Sequence, residues 1–207
     1  MATRGPALAL AALCTGVTCL LILHVIPPTS DLSPVRRTIS EYALGPNKWL
    51  FDLAILLVAA GSALGFALIR DRTRPLVLVL GAVWVVSLLA VVAFTKNNWA
   101  IGPSTGGMIH RYASVAAFLS LPLAVLTAAG RALPPWRWSA RALGLLSLTW
   151  FAVIVVGAIR MLSGGAPWWT TIPLGLVERV IAGSAVAAFA TLLIGLTRPP
   201  TRPPIPA

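Results

Sequence analysis

Six long apolar runs, separated by short polar segments, dominate the pattern of this chain. Each run has about 20 residues, which is the length that an α-helix needs to cross a hydrocarbon core of about 30 Å. The runs cover approximately residues 7–26, 50–69, 75–94, 109–129, 142–162 and 176–196. The pattern therefore predicts an all-α integral membrane bundle of six transmembrane helices.

The composition supports membrane insertion. Hydrophobic residues make up 58% of the chain and charged residues only 10%, which is far from the composition of soluble domains. We expect residues 1–197 to form a single six-helix transmembrane domain. Residues 198–207, rich in proline and arginine, are expected to form a disordered cytoplasmic tail. The first run is longer than the roughly 7–15 residues of a signal-peptide core, so it is predicted to be a helix.

The basic residues indicate the orientation of the bundle. If the helices alternate, nine arginines lie on the side of the N-terminus, against four basic residues in the opposite loops, or seven with the helix ends included. Such an excess marks the cytoplasmic side, so both termini are predicted to be inside. The preference for arginine over lysine favours a bacterial source, and hence a bacterial cytoplasmic membrane. Topogenic arginines also account for the formal charge of +11, so no nucleic-acid partner is expected.

Ionisable residues gather at the outer ends of the predicted helices and in the first outer loop. Inside a membrane such groups cost roughly 2.5–3.5 kcal/mol each at the centre, so they usually face inward and pair. We therefore predict a polar, arginine-rich cavity on the outer side of the bundle. The candidate ligand-binding residues are His24, Arg36, Arg37, Ser40, Glu41, Asp52, His110, Arg111, Arg160, Glu178 and Arg179.

Two carboxylates, those of Asp52 and Glu178, are expected to neutralise arginines of this group. The candidate partners are Arg111, Arg160 and Arg179. His110 and Arg111 lie in the first turn of the predicted fourth helix, where the positive end of the helix dipole opposes a positive charge. A carboxylate from Glu41, Asp52 or Glu178 is therefore expected beside them.

The first outer loop is the longest and contains a helix signal. Thr38 and Glu41 have the S/T-x-x-E spacing of a capping box, and Gly45 followed by Pro46 is a natural helix stop. A short interfacial helix lying over the bundle is predicted. In an alternative interpretation, this loop is a lid over the polar residues.

Gly61 and Gly65 have the small-xxx-small spacing that lets two helices approach closely. Packing within the chain is the favoured interpretation, and a homodimer contact is the alternative. The only two histidines, His24 and His110, are far apart in the sequence, and no zinc-binding or hydrolase motif occurs. Neither a metal nor a cofactor is expected.

Three segments carry a resemblance to a known family. They are RRTISEYALGPNKWLFD at 36–52, GGMIHRYAS at 106–114 and GLVERV at 175–180. Together they resemble the bacterial and archaeal six-helix membrane proteins of domain-of-unknown-function family 998, over roughly residues 10–196. The resemblance implies the six-helix architecture and a recurrent set of outer polar residues. It implies no established activity.

Three classes of function stay open at this point. The favoured hypothesis is a binding module whose outer cavity holds an anionic lipid headgroup or a small anionic ligand, because arginine presents a bidentate fork to phosphate or carboxylate. The second is a membrane-embedded hydrolase or lipid-modifying enzyme that uses the outer His, Asp and Glu residues. The third is a transporter, against which the almost uncharged helix centres count.

Overall fold

The computed structural model of the protein describes residues 4–98 and 100–198, and within them it is helical without any strand. Six of the helices are long and apolar enough to cross a membrane, whereas the four-residue helix Trp168–Thr171 is not. The helices are α1 Arg4–Ile22, α2 Lys48–Ile69, α3 Pro75–Ala93, α4 Thr105–Ala128, α5 Trp136–Leu162, α6 Trp168–Thr171 and α7 Leu174–Thr197. The prediction of an all-α bundle with six membrane-crossing helices is confirmed. The predicted tail, apart from Arg198, lies outside the described residues.

Several helix boundaries differ from the apolar runs. Helix α1 ends at Ile22 rather than near residue 26, since the chain turns ahead of Pro27 and Pro28, and residues before a proline disfavour the helical region. Helix α4 begins earlier than predicted because Ser104 caps it: the Gly107 amide donates to the Ser104 hydroxyl at 3.0 Å. A run of apolar residues therefore underestimates a helix that continues into polar, well-capped turns.

Helix α7 occupies the centre of the bundle. It contacts α1, α2, α4 and α5, while α1 packs mainly against α2, α3 against α4, and α5 against α7. Helix α5 is buried only through Ala140, Gly144 and Ser147, near its start. Its second half consequently leaves much of its apolar surface uncovered, and one of the cavities described below lies there.

The two ends of the bundle differ in character. At one end, here called the opposite end, Arg72 donates to the carbonyl of Leu196 and Gly5 packs against Leu68, so the start of α1 and the ends of α2 and α7 lie together. The other end is called the site end. It is formed by residues 23–47, 94–98, 100–104 and 163–173. That the site end faces outward stays a prediction.

Both glycines of the small-xxx-small pair are used within the chain. A Cβ on Gly61 would lie 2.8 Å from the Ala9 carbonyl oxygen in α1, and a Cβ on Gly65 would lie 2.8 Å from the Phe189 ring in α7. The missing side chains therefore permit α2 to approach α1 and α7. This geometry supports packing within the chain. Gly61 and Gly65 are buried against α1 and α7.

Replacing Gly61 with alanine is expected to lower the free energy of unfolding by about 1–3 kcal/mol, because the new methyl group meets a backbone atom that can move only with α1. Gly183→Ala in α7 is the matched control, since a Cβ there has nothing within 4 Å and alanine favours the helix. Thermal unfolding of both variants in detergent measures the difference. Equal losses at the two positions would contradict the close approach.

The first loop contains the predicted short helix, as a 3-10 helix over Ile39–Leu44. The predicted capping box is wrong. The Thr38 hydroxyl donates to the Glu41 carboxylate at 3.3 Å and makes no hydrogen bond that caps the helix. Gly45 follows in an extended conformation. The spacing thus located a helix, but tertiary contacts of Glu41 replaced the local cap.

Candidate functional site

The first loop lies directly on the N-terminal turns of α7. The Leu176 amide donates to the Val35 carbonyl at 3.1 Å. Gly175 admits this contact, because a Cβ there would overlap the carbonyl oxygens of Pro34 and Arg37. A glycine at the start of α7 therefore lets residues 34–37 pass across the helix end.

Arg179 fastens the loop to the helix bundle through four hydrogen bonds. Its Nη1 donates to the carbonyls of Arg37 and Gly175 at 2.8 and 2.9 Å, and its Nη2 donates to the Tyr42 hydroxyl at 2.8 Å. Its Nε donates to His24 Nε2 at 2.8 Å. A guanidinium has five N–H groups in a rigid fork, so the contacts within the chain occupy most of them.

The contacts of His24 define its tautomer. Its Nδ1 lies 2.8 Å from the Leu20 carbonyl oxygen, which can only accept, and its Nε2 accepts from Arg179. Both contacts are satisfied only when the hydrogen is on Nδ1. The ring also packs edge-on against Tyr42, with the centroids 5.5 Å apart. His24 is thus a positioned hydrogen-bond acceptor at the end of α1.

Glu178 holds the same loop from the neighbouring position of α7. Its Oε2 accepts a hydrogen bond from the Ile39 amide at 2.6 Å, and protein atoms surround its carboxyl group, on which the charges of Lys96 and Arg179 act. Among the described residues, no salt bridge joins Glu178 to an arginine. The carboxylate instead accepts the first amide of the 3-10 helix, where a helix N-terminus favours negative charge.

Glu41 forms ion pairs with two basic residues, Arg37 and Lys96. Lys96 Nζ lies 3.2 Å from Glu41 Oε1 and donates to the Thr38 hydroxyl at 2.9 Å. Arg37 Nη1 lies 3.4 Å from Glu41 Oε2, and the hydroxyls of Thr38 and Ser40 are 3.2 Å apart. Lys96, which follows α3, therefore ties the loop to a third helix.

These contacts define a cluster at the site end, called the outer cluster after its predicted orientation. Its members are His24, Arg37, Thr38, Ser40, Glu41, Tyr42, Lys96, Glu178 and Arg179. Six of them were predicted as site residues. Tyr42, Thr38 and Lys96 were missed, although the first two belong to the same polar segment of the loop and Lys96 is the only lysine of its loop.

Asp52 and His110 lie at the site end with partners other than those expected. Asp52 Oδ2 pairs with Lys48 one turn earlier in α2 at 2.5 Å, and not with an arginine. His110 is 4% exposed, and its Nδ1 hydrogen is donated to the Phe94 carbonyl at 2.7 Å. The expected carboxylate beside His110 is wrong, because the end of α3 supplies an acceptor. His110 Nε2 and Asp52 Oδ1 are buried without a hydrogen-bond partner within the described residues.

The remaining predicted residues lie on exposed surfaces. Arg111 is exposed near the start of α4, Arg160 is exposed near the end of α5, and Arg36 is exposed in the first loop. Arg36 and Arg160 each line a cavity. Arg36 and Arg160 therefore differ from Arg179, whose fork is occupied by the chain itself.

Two cavities lie at the site end, and neither is lined by Glu178 or Arg179. The larger has a volume of about 670 Å³ and lies between one face of α5 and the segment 165–172. The smaller has a volume of about 210 Å³ and lies between α6 and the first loop, with Arg36 on its wall. Direct side-chain contacts join the residues of the cluster, and both of these cavities lie beside it. A polar cavity inside the cluster stays a prediction.

No group of three or more His, Cys, Asp or Glu side chains is placed to hold a metal ion in the part of the chain that the structure describes. Most hydrogen-bonding groups of the outer cluster are used between loop and helix. The arrangement can fix the loop rigidly, and it leaves Arg36 and Arg160 to meet a ligand.

Comparisons with known proteins identify a family and no function. The model of the family described as "Protein of unknown function (DUF998)" matches residues 7–196. No curated protein and no solved structure matches the chain. The match covers all six long helices and the outer cluster.

Proposed function

Since the chain belongs to domain-of-unknown-function family 998, we propose a function for this multi-pass membrane protein from its own residues: it binds an anionic lipid at the site end. The acyl chain lies along α5, and the headgroup meets Arg160 and Arg36. The site end faces outward from a bacterial cytoplasmic membrane in this proposal, in line with the distribution of arginines between the loops.

The observation that carries the proposal is the larger cavity and its single charged wall residue. Val153 and Val156 of α5 line it together with Trp168 and Ile172, and Arg160 follows one turn beyond Val156 on the same face. A mostly apolar cavity with one guanidinium on its wall suits a molecule with an apolar tail and an anionic head. Lipid-binding pockets are mostly apolar with few polar groups that fix orientation.

The smaller cavity adds a second arginine for the headgroup. Thr171 and Ile172 line both cavities, so the two are neighbours, and Arg36 lines the smaller one. An arginine fork matches the oxygen atoms of a phosphate in bidentate fashion. Arg36 makes no ion pair within the described residues, so its fork is open to such a ligand.

The outer cluster has a positioning role in this proposal. Residues 34–37 are held on α7 by Arg179 and by the Leu176 amide, and Arg36 lies within that segment. A rigid loop places the arginine at low entropic cost when the ligand arrives. The same occupied contacts of His24 and Glu178 weigh against the alternative in which these residues act as an acid and a base.

The proposal is tested by titrating the purified protein in detergent with phosphatidylglycerol and with phosphatidylcholine, and counting bound lipid by native mass spectrometry. Arg36→Gln/Arg160→Gln is expected to weaken the binding of one phosphatidylglycerol by about 2 kcal/mol, roughly thirtyfold in Kd, at about 1 kcal/mol per arginine. Val156→Trp, which fills the apolar cavity, is expected to weaken the same event without changing any charge.

Arg70→Gln is the matched control, because it removes an exposed arginine at the opposite end that pairs with Asp71. Its affinity for phosphatidylglycerol is expected to equal that of the wild type. The proposal fails if the double variant binds as tightly as the wild type, or if phosphatidylcholine binds equally well to this site.

A further inference from the structure

The start of α5, at the opposite end of the bundle, presents two arginines around one exposed tryptophan. Trp138 is 61% exposed. The guanidinium carbons of Arg137 and Arg141 lie 5.5 and 5.1 Å from the centroid of its ring, which is the range of cation–π attraction. The aromatic ring thus holds two guanidinium groups close to one another.

Within the described part of the chain, no ion pair compensates these two charges. The first turn of α5 contains no acidic residue, and none of the four ion pairs within residues 4–98 and 100–198 involves Arg137 or Arg141. The N-terminal end of α5 adds the positive end of a helix dipole. Arg137 Nε is also buried and lacks a hydrogen-bond partner within the described residues. Two guanidinium groups on one aromatic ring suit an anion with several oxygen atoms.

The same face of α5 continues into apolar surface. Leu145 follows Trp138 by seven residues, about two helical turns, so both lie on one side of the helix, and Leu145 is 55% exposed. A ligand that meets Arg137 and Arg141 with its anionic group therefore has exposed apolar surface directly along the helix. This continuity favours a lipid over a soluble phosphate.

We infer that Arg137, Trp138 and Arg141 form a second lipid site, which binds the phosphate of an anionic membrane lipid at the opposite end of the bundle. The two guanidinium groups hold the phosphate oxygens, Trp138 keeps the guanidiniums together and covers the glycerol region, and the acyl chain passes over Leu145. This site lies at the other end of the bundle from the cavities beside α6, and its existence does not depend on them.

The test compares two double variants that remove equal charge from the same end. Arg137→Gln/Arg141→Gln is expected to weaken the binding of one phosphatidylglycerol by about thirtyfold. Arg70→Gln/Arg74→Gln, in the segment before α3, is expected to stay within about threefold of the wild type. The measurement is the number and affinity of bound lipids by native mass spectrometry, in the full-length protein.

Further measurements distinguish lipid binding at this site from lipid binding at the site end and from the binding of a free anion. Wild-type protein is expected to retain two phosphatidylglycerol molecules, and combining Arg36→Gln/Arg160→Gln with Arg137→Gln/Arg141→Gln is expected to lose both. Inorganic phosphate at millimolar concentration is expected to displace neither. Equal weakening by the two double variants at this end would overturn the inference, as would displacement by inorganic phosphate or an unchanged affinity. Trp138→Phe, which keeps a ring, is expected to bind more tightly than Trp138→Ala.

Discussion

Replacing Arg179 with alanine is expected to lower the free energy of unfolding by about 3 kcal/mol and to release the first loop from α7. The guanidinium donates to His24, Tyr42 and two backbone carbonyls, and a hydrogen bond to a charged group contributes about 1.5–3 kcal/mol. Tyr42 is fully buried, so its hydroxyl would lose its partner away from water. Thermal unfolding and amide hydrogen exchange of residues 34–44 measure the two effects.

Two further variants show whether the fork or the charge matters. Arg179→Lys keeps the charge but cannot make four hydrogen bonds in the geometry of a guanidinium, so it is expected to recover only a small part of the lost stability. Arg70→Ala removes an exposed arginine paired with Asp71 and is expected to change stability by less than about 0.5 kcal/mol. Unchanged exchange of the loop in Arg179→Ala would show that Arg179 does not hold it.

The adjacent glycines at the start of α4 are expected to respond in opposite directions to alanine. A Cβ on Gly107 would overlap the side-chain amide of Asn97 and lie 2.8 Å from the Asn97 backbone nitrogen. Asn97 is buried, and its Oδ1 accepts from the amide and the hydroxyl of Ser104 at 2.8 and 3.1 Å. Gly107→Ala is therefore expected to lower the free energy of unfolding by about 2–3 kcal/mol, through overpacking and loss of the cap.

Gly106→Ala is the control for this prediction. The nearest atom to a Cβ on Gly106 is a carbon of Phe94 at 3.9 Å, an ordinary contact, and alanine is a better helix former by about 1 kcal/mol. Gly106→Ala is expected to be neutral or stabilising in the same thermal unfolding measurement. A smaller loss for Gly107→Ala than for Gly106→Ala would show that Asn97 does not pack as described.

Some parts of the candidate site could be predicted from the sequence because they depend only on the free energy of placing an ionisable group in the membrane. Glu178, Arg179 and His24 are ionisable groups at the ends of apolar runs, and groups of that kind must be paired or face inward in a membrane. In the structure, these three residues lie together at the site end. Their partners could not be predicted, because Ile39 is 139 residues from Glu178 and His24 is 155 residues from Arg179.

The pairing errors have a common origin. Asp52 was expected to neutralise a distant arginine, yet Lys48 lies one turn away on the same helix and pairs with it. His110 was expected to need a carboxylate, yet the Phe94 carbonyl at the end of α3 accepts its hydrogen. Every helix end exposes backbone carbonyls, and these accept hydrogen bonds from side chains that carry a donor, so a carboxylate is not required beside each of them.

By itself, the sequence determined how many helices are long and apolar enough to cross a membrane and at which end the ionisable side chains gather. Those properties follow from the length of apolar runs and from the position of charges along them, both of which are local. Only the tertiary structure decided that the first loop packs on α7, that Arg179 is used internally, and that open space lies beside α5 near Arg160. Such outcomes depend on which helix faces pack together. Packing brings together residues that are far apart in the sequence, and their sequence separation does not reveal that they are close in space.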